Sequence, residues 1–148
     1  MNQRQSGYTL IELLVTLSIL SIILLIPSIV LPNLSNSSHE ADLIAQQLKE
    51  EIQLAQHVAM SNGREVFVRL DNRTKECIIR FGIYEVYSIT PFQHPDMAVE
   101  TISLEPSSIA FLPNGHPKRS GSFLLCIGKH RYQYTVYLGK GMISYKKI

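Results

Sequence analysis

The sequence predicts an α+β protein: a long N-terminal helix, strongly apolar in its first half, packs by its second half on an antiparallel β-domain. Three observations predict it. Tyr8 to Leu31 is a run of 24 residues whose only charge is Glu12. His39 to Ser61 repeats apolar residues at helical spacing, and beyond Gly63 short β-rich runs alternate with turn signals.

At 1.5 Å per residue the first run reaches roughly 36 Å, enough for a hydrocarbon core of about 30 Å. Seven residues including Arg4 precede it, which would suit a secretory signal peptide. Secretory apolar cores are shorter, about 7–15 residues, and end at a small-residue cleavage site. This run ends in Pro27, Pro32 and a Ser/Asn-rich stretch with no Ala-x-Ala. A plain signal anchor explains the length and the cytoplasmic Arg4, but it leaves Glu12 unexplained. A carboxylate in a spanning helix costs about 2.5–3.5 kcal/mol at mid-membrane, so such a group implies a partner.

Pro27 and Pro32 lack an N–H and can kink or end the helix. The polar stretch Asn33 to Ser38 follows as a weak point. In the next segment Ile44, Leu48, Ile52, Ala55 and Ala59 recur at intervals of three and four, with Lys49, Glu50, Gln53 and Gln56 opposite. Asn62-Gly63 supplies a stop signal. Strands are expected at Glu65 to Leu70, Glu76 to Phe81, Ile83 to Thr90, Val99 to Leu104, Ile109 to Leu112, Ser122 to Ile127, Tyr132 to Leu138 and Met142 to Lys146. Asp71-Asn72-Arg73-Thr74, Asn114-Gly115, Gly128-Lys129 and Gly139-Lys140-Gly141 are the turns between them. Asn72-Arg73-Thr74 also fits a glycosylation sequon, but a hairpin turn accounts for it.

Gly7-Tyr8-Thr9-Leu10-Ile11-Glu12, followed by Leu13-Leu14-Val15, resembles the class III leader junction of type IV pilins and pseudopilins. Phe is usual in that family where this chain has Tyr8, and several basic residues are usual where it has Arg4 alone. The resemblance implies cleavage after Gly7 and N-methylation of Tyr8 by a prepilin peptidase. It also implies a pairing of Glu12 with the terminal amine of a neighbouring subunit. The physics agrees, since an amine and a carboxylate in hydrocarbon each lose cost when joined. The segments are then 1–7 leader, 8–32 membrane and filament-core helix, 33–62 amphipathic half-helix and 63–148 external β-domain.

Phe111-Leu112-Pro113-Asn114-Gly115, the strand near Cys126, the tyrosine-rich strand and the final hairpin are similar to the C-terminal half of minor pseudopilins of the GspH or FimT type. With two cysteines and a small size, the chain resembles a minor pilin of a competence pilus. That implies other pilins, an assembly platform, the membrane and, in transformation, external DNA as partners. A type II secretion pseudopilin and a signal-anchored binding module that never polymerises are the alternatives.

Cys77 and Cys126 sit in strand-like runs on the side expected to be translocated. They form either a bridge across about fifty residues or two separate buried thiols. The histidines at 39, 57, 94, 116 and 130 show no metal-ligand spacing. Glu50-Glu51 diverge on a helix and read as a solvated face. There is no phosphate loop, dinucleotide fingerprint or nucleophile elbow; no catalytic residue, metal or cofactor is expected.

Charge is uneven. Asn33 to Glu105 holds eleven acids and six Lys/Arg, whereas Pro106 to Ile148 holds seven Lys/Arg and no acid. Lys118, Arg119, Lys129, Arg131, Lys140, Lys146 and Lys147 are interleaved with Tyr132, Tyr134, Tyr137 and Tyr145. The mixture suits either phosphate neutralisation with ring stacking or contact with the acidic half of a neighbouring subunit.

Overall fold

The computed structural model describes residues 9–30, 37–139 and 142–148, which fall into two compact units on either side of Asn36–Ser37. The first contains helix α1, Leu10–Val30. Thr9 precedes it, and its carbonyl and hydroxyl oxygens both lie within reach of the Glu12 N–H, at 3.1 and 3.4 Å. Thr is a favoured residue just before a helix because its oxygens meet such orphan donors. Helix α1 runs through Pro27; the expected break at Pro32 lies outside the described residues.

The second unit opens with α2, Ser37–Asn62. All five apolar positions named above are buried, joined by Ala41, Ala45 and Val58. The opposite face is less uniformly wet than its composition suggests: Lys49, Glu51, Gln53 and Gln56 are half-buried where the helix flanks meet the strands. The helix ends at Gly63, whose φ of 61° is the left-handed geometry that glycine adopts without penalty.

Eight strands follow: β1 Val66–Asp71, β2 Glu76–Phe81, β3 Glu85–Pro91, β4 Met97–Thr101, β5 Ile109–Phe111, β6 Gly121–Ile127, β7 His130–Val136 and β8 Ile143–Lys147. They form two four-stranded antiparallel sheets, ordered β3-β2-β1-β5 and β4-β6-β7-β8. Helix α2 packs on β1 and β5 of the first sheet and on β7 and β8 of the second. One hydrophobic core lies beneath it, running from Val66, Val68 and Ile79 to Phe123, Leu125 and Tyr134.

Local pattern located the strands but not their partners. Asn114-Gly115 does not join β5 to β6, which lie in different sheets, but turns the chain back so that Phe111 pairs antiparallel with Pro117. It turns a loop in which the Leu112 N–H donates to the His116 carbonyl at 2.8 Å. Gly115 has a φ of +79°, a conformation that residues with a Cβ rarely adopt, so the turn favours glycine there. Gln56 holds it down by donating to the Gly115 carbonyl at 2.8 Å.

The β1–β2 turn reaches across to the second sheet. The Asn72 side chain donates to the Val99 carbonyl at 2.8 Å and accepts from the Val99 N–H at 2.9 Å, mimicking a neighbouring strand. Lys75 caps the Met97 carbonyl at 2.7 Å. Edge strand β4 is thereby covered, a common way of blunting an exposed sheet edge.

Candidate functional site: the acidic end of an apolar helix and the charged faces of the β-unit

Every side chain described on α1 from Leu10 to Leu24 is exposed within its own unit, with Leu10 at 79% and Leu24 at 70%. The hydroxyls of Thr16, Ser18 and Ser21 donate to the carbonyls of Leu13, Leu14 and Leu17 at 2.8–2.9 Å. They are satisfied inside the helix. Glu12, in the first turn, has no charged partner among the described residues. The helix therefore presents a largely apolar surface on which Glu12 is the one charged side chain among the described residues. Gly7 and Tyr8, the expected processing positions, lie outside the described residues, as do the ends of the expected span 8–32. Among the described residues, no helix is by itself long and apolar enough to cross a membrane.

In the β-unit, Cys77 and Cys126 are free and are not brought together. They lie on β2 and β6, in different sheets. Cys77 alternates with Ile79 and Phe81 onto the core face; Cys126 falls between buried Leu125 and Ile127 and points the other way. A bridge would need one strand to slip by a residue, which would turn its buried set outward. Cys77 is buried and Cys126 half-buried. Burial chiefly raises the pKa of both, aided by Glu51 at Cys77 and by Glu100 at Cys126.

The seven bases do not form one patch. Lys118 pairs with Glu65 at 2.8 Å, and Lys147 with Asp42 at 2.9 Å. Lys129 sits at the β6–β7 turn beside the start of α2, in a cleft it shares with Glu40, His94, Asp96 and His130. Arg131 and Lys146 lie on the outer face of the second sheet, Arg119 lies beside the first, and Lys140 is outside the described residues. Among the described residues, no three His, Cys, Asp or Glu side chains are arranged to hold a metal ion.

Nor do Tyr132 and Tyr134 offer a stacking platform. Tyr132 and Tyr134 are 1% and 0% exposed. The Tyr134 ring lies 4.9 Å from Phe123 and 5.4 Å from Tyr145, near-parallel to both, and its hydroxyl donates to the Ala45 carbonyl of α2. The Tyr132 hydroxyl donates to Asp42, which holds that carboxyl below its usual range, with Lys147 helping. Alternation along β7 decided this: the rings are the core side of the strand.

Glu51 was misread by sequence pattern. It is half-buried against Cys77 and Thr90 rather than solvated, and burial raises its pKa against the opposing hydrogen bonds. The fold thus favours its neutral form. The stability it contributes is fully present below the ordinary carboxyl value of 4.5 and is lost as pH rises through the elevated folded value. Glu51→Gln should raise the melting temperature by a few degrees at pH 7, with the gain vanishing below pH 4. Equal melting temperatures at pH 7 would show that the carboxylate is not penalised.

Residues 2–26 match the family described as the prokaryotic N-terminal methylation motif. Over 143 residues the chain is 27% identical to the competence protein ComGD of Bacillus subtilis (strain 168), covering 97% of this chain and 94% of that one. The fold is similar to that of the type IV minor pilin FimU of Pseudomonas aeruginosa (strain PAO1). There the TM-score is 0.61 at 17% identity, over 74% of this chain and 90% of that one. It is also similar to the minor pseudopilin EpsH of the Vibrio cholerae type 2 secretion system, with a TM-score of 0.57 at 13% identity, over 73% and 97%. Leader motif, full-length relative and fold thus converge on one likeness: the chain is similar to the type IV pilins and pseudopilins.

Proposed function

We propose that the chain is a minor pilin of a competence pilus, inserted in the membrane with its N-terminus cytoplasmic and its β-unit outside. A prepilin peptidase cuts after Gly7, and Tyr8 becomes the methylated N-terminus. An assembly platform then moves the subunit from bilayer to filament, where apolar neighbours replace lipid around α1. Glu12 accepts the terminal amine of an adjacent pilin and so sets the axial register. The observation that carries this reading is the solitary unpaired carboxylate on a helix whose other described polar side chains, from Leu10 to Leu24, are internally satisfied. The assembled filament serves uptake of external DNA at the cell surface; no catalytic residue or cofactor takes part.

The full-length similarity to ComGD favours competence, while the likeness to EpsH supports a second reading, a type II secretion pseudopilin. Deleting the gene should abolish transformation and leave secretion intact; the reverse pattern would replace the first reading by the second. Protein from native membranes should begin at methylated Tyr8. A chain still starting at Met1 in cells with the peptidase would favour a signal-anchored module that never polymerises.

A further inference from the structure

Strand β3 is an edge of the first sheet and lacks most of the devices that close the other edges. Strand β4 is capped by Asn72 and Lys75. Strand β5 is covered by the returning chain, where Phe111 pairs with Pro117 and the Lys118 N–H donates to the Ala110 carbonyl at 2.8 Å. Strand β8 carries Lys146 and Lys147, charges that oppose pairing with another chain. Strand β3 has no lysine or arginine, and its proline, Pro91, stands at the end. A bulge opposite Ile79 and Arg80 is its one protective feature.

The edge is also apolar and firmly built. Ile83, Tyr84, Val86, Tyr87 and Ile89 are between 49% and 93% exposed. Arg64 fixes the hairpin: its guanidinium donates twice to Glu85, at 2.7 and 3.2 Å, and lies 4.6 Å from the ring centre of Phe81, which Tyr87 meets edge-on. The one charge on β3 is thereby neutralised. The Phe92 N–H donates to the Lys75 carbonyl at 2.7 Å. By antiparallel alternation Thr90 and Ser88 likewise turn their backbone groups to β2, and Ile89 turns its N–H and C=O to the open edge.

What fits such an edge is an uncharged extended strand, and β3 matches itself. In an antiparallel pair of two β3 strands centred on Ser88, Tyr87 of each copy faces Ile89 of the other, and Val86 faces Thr90. Glu85 meets Pro91, so no like charges come opposite. Aromatic and β-branched residues are favourable cross-strand neighbours. We propose that a second copy of this chain covers β3, joining two first sheets into one about a two-fold axis at Ser88. A two-fold set along the membrane normal lets both α1 helices enter one bilayer. A two-fold contact closes on itself, whereas a filament grows through head-to-tail contacts. The pair is therefore a reserve form that parts before a copy is incorporated. That consequence rests on the filament-subunit reading; the pair itself does not.

The test is cross-linking and sedimentation of the full chain in detergent micelles. With Cys77→Ala and Cys126→Ser in place, Ser88→Cys should oxidise to a covalent dimer. Ser88 meets its own copy at a non-hydrogen-bonded position, where Cα atoms stand about 4.5 Å apart, within reach of a disulfide. Ile89→Lys alone, at an exposed position, should raise the concentration of half-dimerisation about tenfold and leave the melting temperature unchanged. A monomer at every concentration, no cross-link at Ser88, a dimer indifferent to Ile89→Lys, or a ladder of species beyond the dimer would each overturn the proposal. Any of these leaves the filament-subunit reading standing. Gene deletion that spares both transformation and secretion would remove that reading, and with it the reserve role, but not the pair.

Discussion

Glu12→Ala should leave the chain in the membrane fraction and remove it from sheared surface filaments. Insertion depends on apolar length, which the change improves, because a carboxylate in the bilayer is an expense and an alanine is not. Assembly depends on the pair. Deleting one member of a desolvated ion pair costs about 3–5 kcal/mol because the other charge is left uncompensated. In the proposed filament the group left behind is the terminal amine of an adjacent subunit, so the contact this subunit makes there is penalised. Immunoblots of membrane and filament fractions give the readout. Glu12→Gln should also fail, since an amide hydrogen bond replaces a charge pair, whereas wild-type levels of Ala variant in filaments would remove the register role.

Tyr134→Ala should destabilise the β-unit most among single core changes. The ring is fully buried and stacked between Phe123 and Tyr145. Removing a buried aromatic side chain costs about 3–5 kcal/mol through lost transfer energy and the cavity left behind. Against a typical domain stability of about 5–15 kcal/mol, this should lower the thermal midpoint sharply and raise protease sensitivity. Tyr134→Phe keeps the ring and loses only the bond to the Ala45 carbonyl, so about 1 kcal/mol is expected. If both variants melt like the parent in circular dichroism, the ring is not a core element. The pair of variants also separates packing from the hydroxyl that ties β7 to α2.

These two predictions sit at opposite ends of what linear pattern reveals. Glu12 is legible because nothing else in its run is charged, so its need for a partner follows from transfer energetics without any fold. The buried face of α2 is legible for a similar reason: a period of 3.6 assigns Ile44, Leu48, Ile52, Ala55 and Ala59 to one side. Tyr134 was ambiguous. A strand with basic and aromatic residues alternating can turn its rings to solvent or to the core, and only a helix laid over β7 chooses.

The same limit explains the cysteines, the bases and Glu51. Cys77 and Cys126 each read as strand residues, yet which sheet and which face they occupy depends on long-range pairing. The bases from Lys118 to Lys147 are neighbours in composition but are dispersed over two sheets and a helix flank, two of them neutralised by Glu65 and Asp42. Glu51 lies at a helix border where a shift of one residue separates water from the sheet.

The amino-acid order alone determined the element types, the long apolar helix with its lone acid, and the resemblance to a family defined by a leader. Those depend on neighbours within a turn or two, and on the cost of placing charge in hydrocarbon. The tertiary structure decided that there are two sheets, that Tyr132 and Tyr134 are core, and that the thiols are apart. Each of those joins residues far apart in the chain, and the chain can satisfy local preference in many pairings; burial and hydrogen bonding of the assembled whole select one.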